Sequence, residues 1–140
     1  CIAPSKTPTD FVLENSQAQE RAPSLFIFVS FSLPTKTLQA YAAEAEKIGG
    51  ALVFRGLVQN SFVKTAARMK ELGVPCLIDP TLFEKYNVKA VPTFVLPGKD
   101  GNFDMVKGHT TLQSTLEKMA KTGELKVQAE ALLMQFKNAA

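Results

Sequence analysis

The spacing of apolar positions changes several times along the chain, and each change marks an element. After a polar stretch over 1–23 with no sustained period, residues 25–29 (LFIFV) form a continuous aromatic and β-branched run. That run is short enough for a strand buried on both faces. Residues 30–35 (SFSLPT) read as a loop. Beyond it Leu38, Tyr41, Ala42, Ala45 and Ile48 recur at threes and fours, which predicts an amphipathic helix closed by Gly49 and Gly50. A second apolar run covers 51–57. Asn60 is then placed to cap a helix with Phe62, Val63, Ala66, Met69 and Leu72 inward and Gly73 at its end. A third strand is predicted over 74–78, weakened at its start by Pro75, and Asp79 is placed to cap a short helix running from Pro80 through Tyr86. Residues 93–96 and 103–107 flank a Pro-Gly-rich turn and read as a hairpin. Thr111 ends a Gly-containing break and opens a helix carrying Leu112, Leu116, Met119 and Ala120 inward. A last helix from Glu124 carries Leu125, Ala129, Leu132, Leu133 and Phe136 on one face. Strands that alternate with helices and end in a hairpin predict an α/β fold: a central mixed sheet flanked by helices on both faces, plus an extra C-terminal helix.

Composition narrows the class without changing this outline. With 140 residues, 46% hydrophobic and 21% charged, the chain is one ordinary globular domain over 24–140, preceded by a flexible arm over 1–23. The Phe11-Val12-Leu13 triplet is the arm's one apolar feature, suited to docking on the domain or to starting a short helix. No apolar run approaches the ~20 residues of a membrane helix. A net charge of +3 is too small for a nucleic-acid footprint. No phosphate loop, zinc spacing or HExxH motif occurs, so no metal or cofactor is expected. The two cysteines, Cys1 and Cys76, lie 75 positions apart and form no C-x-x-C. Cys1 is open to three readings: a lipid acceptor, a disulfide partner of Cys76, or simply where the sequence begins. Cys76, in a predicted core strand, reads as a small buried hydrophobe.

Two separated motifs carry a resemblance. The segment PTLFEKYNVKAVPTFVL (80–96), followed by a hairpin and a glycine before a helix, resembles the second half of thioredoxin, with Val91-Pro92-Thr93 in the place of its cis-proline loop. Upstream, Phe31-Ser32-Leu33-Pro34-Thr35-Lys36 stands where thioredoxins carry W-C-G-P-C-K, so proline and lysine keep register while hydroxyl residues replace both cysteines. FVSFSLP, FRGLVQNSF (54–62) and IDPTLFEKYNVKAVP together resemble the TrbC family, periplasmic pilus-assembly proteins of F-type conjugative type IV secretion systems. That resemblance implies a periplasmic, thioredoxin-like, non-enzymatic factor whose partners are other conjugation proteins, most plainly one of the TraW type.

The chemistry of the residues agrees with a non-catalytic reading. Thiol–disulfide exchange needs an attacking thiolate and a resolving thiol, and Ser32 and Thr35 supply neither. The loop Ser32, Leu33, Pro34 and Thr35 is expected to cap the following helix through Ser or Thr, with partner binding as an additional role. Pro92 is expected in the cis form from the thioredoxin resemblance, where the backbone before it is an edge that an extended peptide can join; the plain alternative is that it only shapes the fold. Arg55, ending a strand, is placed either to contact a partner or to cover the sheet edge with its stem. His109 is expected at the surface, and Lys64, Arg68 and Lys70 on one solvated helix face. Two competing functions remain: a thiol–disulfide oxidoreductase or isomerase relative using Cys76, and a generic peptide-binding chaperone domain.

Overall fold

A computed structural model describes residues 22–73 and 76–139. Cys1, the Phe11-Val12-Leu13 triplet and the Val74-Pro75 start of the third strand lie outside the described residues. The elements run β1 (Phe26–Val29), α1 (Thr35–Glu46), β2 (Ala51–Phe54), α2 (Phe62–Leu72), β3 (Cys76–Ile78), α3 (Pro80–Lys85), β4 (Thr93–Pro97), β5 (Phe103–Lys107), α4 (Leu112–Thr122) and α5 (Lys126–Asn138). A short 3-10 turn, Val58–Asn60, precedes α2. The five strands form one sheet in the order β3-β2-β1-β4-β5. β1, β2 and β3 are parallel, with Phe28 opposite Val53 and Val53 opposite Leu77. β4 returns antiparallel beside β1, with Ile27 opposite Phe94, and β5 completes the hairpin. This is the mixed sheet that the order of elements in the sequence predicts, in the thioredoxin-like form that the resemblance implies.

The central strands are buried on both faces, so each reads as an unbroken apolar run rather than an alternation. One face carries Ile27, Val29, Leu52, Phe54, Phe94 and Leu96 against Leu38, Tyr41, Met69, Leu116 and Leu132 from α1, α2, α4 and α5. The other carries Phe26, Phe28, Val53 and Val95 against Phe83, Tyr86 and Val88, from α3 and the turn after it. The rings on this thinner face meet edge-on, Phe28 and Phe83 at 4.9 Å between centroids. Edge-to-face contact suits the quadrupoles of aromatic rings. The buried set includes Phe26, Phe28, Phe54, Phe94 and Leu116, as the patterning requires.

Three local expectations are corrected. α1 closes at Lys47, before the glycines, and Gly49 at φ +72° makes the turn into β2. The cap of α2 is Ser61, whose hydroxyl accepts from Lys64 N–H at 3.1 Å, because Asn60 belongs to the 3-10 turn. The inward stripe of α2 is Thr65, Met69 and Leu72, while Phe62, Val63 and Ala66 are exposed, the first two at 67% and 80% of their possible surface. Thr65 is buried at no polar cost: its hydroxyl accepts from Val58 N–H at 2.8 Å and donates to the Ser61 carbonyl at 2.6 Å. An apolar pattern has no means of marking a satisfied buried threonine.

Candidate functional site

A groove of about 720 Å³ opens at the carboxyl ends of β1 and β2, where the chain leaves the sheet in three places. Ser30, Phe31 and Ser32 line it from the β1–α1 loop, Arg55 to Gln59 from the segment after β2, and Lys89, Ala90 and Val91 from the loop before β4. Arg68 reaches in from α2. Carboxyl ends of parallel strands are where α/β sheets place ligands, because the connections diverge there and leave a crevice.

The floor is aromatic. Phe31 stacks on Phe54 with centroids 3.8 Å apart and planes 9° from parallel. The Arg68 guanidinium lies 5.6 Å above Phe31, and its Nη1 donates to the Phe31 carbonyl at 3.4 Å. Phe31 is therefore clamped between a ring and a cation, which fixes the loop that Ser32 sits on. Arg55 lies 5.7 Å over the Phe83 ring on the opposite wall.

The structure brings together Ser32, Val91 and Arg55 of the residues singled out from sequence. Leu33, Pro34, Thr35, Pro92 and Thr93 do not line the groove. Leu33 packs on the core, Pro92 and Thr93 are buried, and the Thr93 hydroxyl donates to the Ala90 carbonyl at 2.7 Å. That bond holds the loop whose next residue, Val91, faces the groove. The Val91–Pro92 peptide is cis. Among the described residues neither the N–H nor the carbonyl of Val91 is in a hydrogen bond.

The expected cap at the start of α1 is absent. Its N-cap is Pro34, with no side-chain hydrogen bond. Ser30 and Ser32 bond each other instead: the two hydroxyls are 2.8 Å apart and Ser32 N–H donates to Ser30 Oγ at 3.1 Å. The residues 30–33 close their own turn, with Leu33 N–H on the Ser30 carbonyl at 3.1 Å, which keeps both hydroxyls away from the helix amides.

Arg68 corrects the reading of a wholly solvated face. Lys64 and Lys70 are exposed, but Arg68 is half-buried. Its position, three after Thr65 and four before Leu72, flanks the buried stripe, and that spacing was the available signal. Lys89 and Phe31 were likewise missed, and for them only the shape of the fold supplies the clue. His109 is at the surface, as expected, yet its Nδ1 meets the Tyr41 hydroxyl at 2.5 Å.

The thiol is elsewhere. Cys76 is fully buried on β3, beside Leu52, and does not line the groove. Burial pushes its pKa up to about 11, so the thiolate needed for exchange is strongly disfavoured. Among the described residues no cluster of His, Cys, Asp and Glu could hold a metal ion, and no helix is long and apolar enough to cross a membrane.

Fold and groove together define a thioredoxin-like α/β domain with a crevice at the carboxyl ends of its parallel strands. The chain belongs to a particular family of that class: residues 27–132 match the type-F conjugative transfer system pilin assembly proteins, TrbC. The periplasmic protein TrbC of Escherichia coli (strain K12) is 35% identical in an alignment 113 positions long that covers 76% of this chain and 52% of that protein. The chain thus spans about half the length of this relative. Among solved structures it is similar to MTB dsbF in its mixed oxidized and reduced forms, with a TM-score of 0.45 and 20% identity over 77% of this chain and 78% of the other. A secreted Mycobacterium tuberculosis disulfide oxidoreductase homologous to E. coli DsbE gives 0.43 and 19%, over 76% and 79%.

Proposed function

We propose that this chain is a non-catalytic periplasmic factor for assembly of the conjugative pilus, acting through protein–protein contacts at the groove. Family membership supports the process and the compartment. The observation that carries the mechanism is Ser32 beside Val91 in one groove, with the thiol of Cys76 buried outside it. A hydroxyl cannot form the mixed disulfide of exchange chemistry, whereas the unpaired Val91 backbone and the aromatic floor suit an extended segment of a partner. The partners are other conjugation proteins, with a TraW-type protein as the first to test.

Gly56 offers a clean way to block the groove, because a Cβ there would meet nothing within 4 Å. Gly56→Trp should therefore fold normally yet abolish complementation of plasmid transfer in a donor lacking the gene. Normal transfer by a folded Gly56→Trp protein would remove the groove from the function. The oxidoreductase alternative is tested by insulin reduction with dithiothreitol: turnover that disappears in Cys76→Ser would sink the non-catalytic reading.

A further inference from the structure

The groove carries charge of one sign. Among the described residues its lining holds three cationic side chains, Arg55, Arg68 and Lys89, and no aspartate or glutamate. Two of the three are held over aromatic rings, Arg68 on Phe31 and Arg55 on Phe83, so their guanidinium groups are positioned in advance rather than free to swing. Arg68 is also incompletely satisfied. Among the described residues its Nε is buried with no hydrogen-bond partner, and its ion pair is with Glu71 Oε1 of the same helix, at 4.0 Å and on an exposed side chain. That nitrogen is closed off from the groove, so an incoming carboxylate would be met by the outer part of the guanidinium group.

Resting on the reading of the groove as a partner site, we infer that its occupant is an extended acidic segment of a protein partner, with more than one carboxylate interleaved with apolar residues. Carboxylates answer Arg68 and Arg55, and the apolar residues meet Phe31, Val58 and Val91. A lone chain-terminal carboxylate would match one guanidinium and leave the other cations unanswered. A nucleic acid or free phosphate would make no use of the unpaired Val91 backbone.

The test is fluorescence anisotropy with the 140-residue chain and three labelled nonapeptides. The first alternates glutamate with valine and leucine and is blocked at both ends. The second replaces every glutamate by glutamine. The third is the second with a free C-terminal carboxylate. The acidic peptide should bind about tenfold or more tightly than the other two, and should weaken steeply with added salt. Arg68→Gln, which keeps a donor and most of the stem, should remove most of that preference, while Lys70→Gln on the exposed side of α2 should not. Equal binding of the acidic and glutamine peptides would overturn the charge assignment and leave the groove as a peptide site. Preference for the third peptide, displacement of the acidic one by equimolar tripolyphosphate, or no binding of any peptide would also overturn it. Plasmid transfer by Gly56→Trp, measured separately, reports on the groove itself whatever the peptides do.

Discussion

The starts of α1 and α4 face the same physical problem and solve it differently. α4 opens with Thr111, whose hydroxyl accepts from Ser114 N–H at 3.0 Å. The α2 and α3 helices do likewise through Ser61 and Asp79. α1, which follows the loop at the groove, opens on Pro34 with no side-chain bond, although two serines lie just upstream. Those serines are tied to one another. Capping is worth about 1 kcal/mol, and it is forgone at the helix start that follows the β1–α1 loop of the groove. The difference teaches that the β1–α1 loop is shaped by its own turn and by the Phe31 clamp, not by the helix it leads into.

The strongest contrast with α1 is α5, where the two residues that lead into the helix are held from another element. Asp104 on β5 accepts from Glu124 N–H and Leu125 N–H, each at 3.0 Å. Gly123 leaves room for that carboxylate: a Cβ there would stand 2.3 Å from Asp104 Oδ2 and 2.7 Å from the Met119 carbonyl. Gly123→Ala should therefore push Asp104 off both amides and destabilise the fold by about 2–3 kcal/mol in urea melts, with Asp104→Ala somewhat milder at about 1–2 kcal/mol. An unchanged midpoint for Gly123→Ala would mean that α5 does not depend on this bond pair. Next in size, Thr111→Ala should cost about 1 kcal/mol, the ordinary value for a lost hydroxyl cap.

A smaller effect at the same end of α4 depends on pH. Burial raises the pKa of Glu44, against opposing contributions from the Leu112 amide, Lys47 and His109. A carboxyl whose folded value lies above its unfolded one binds its proton more tightly when folded, so its contribution to stability is greatest in acid and is lost as pH rises through the folded value. Glu44→Gln carries no such charge. Its melting temperature relative to the native chain should thus move upward between pH 4 and pH 7, and a downward shift would contradict the dominance of burial.

What was legible in the sequence follows from which signals are local. Strand runs such as 25–29 and 51–54 are buried on both faces and announce themselves by composition, and Asp79, Gly73 and Thr111 act through neighbours two to four residues away. The thioredoxin resemblance sets the loops of Ser32 and Val91 facing one another, and Arg55 is a separate candidate from its place at a strand end. The missed features depend on particular polar contacts that apolar spacing does not record. Arg68 meets the Phe31 carbonyl from 37 positions away. Thr65 is buried because Val58 donates to it, which no apolar periodicity records. The capping expectation failed for a related reason: Ser30 competes for Ser32 at a spacing of two, closer than the helix amides.

The smallest expected effect is the one that bears most directly on the loop. Ser32 is exposed and among the described residues its hydroxyl bonds Ser30 and none of the α1 amides, so Ser32→Ala should shift stability by no more than ~0.5 kcal/mol. The Ser32 amide would keep its bond to Ser30 Oγ, and Phe31 would stay stacked between Phe54 and Arg68. Paired urea melts of Ser32→Ala and Thr111→Ala give the comparison directly, since both remove one hydroxyl beside a helix start. A loss at Ser32 equal to that at Thr111 would mean that its hydroxyl closes α1 in solution. The loop would then be explained by helix capping alone, and its place in the groove would no longer call for a partner.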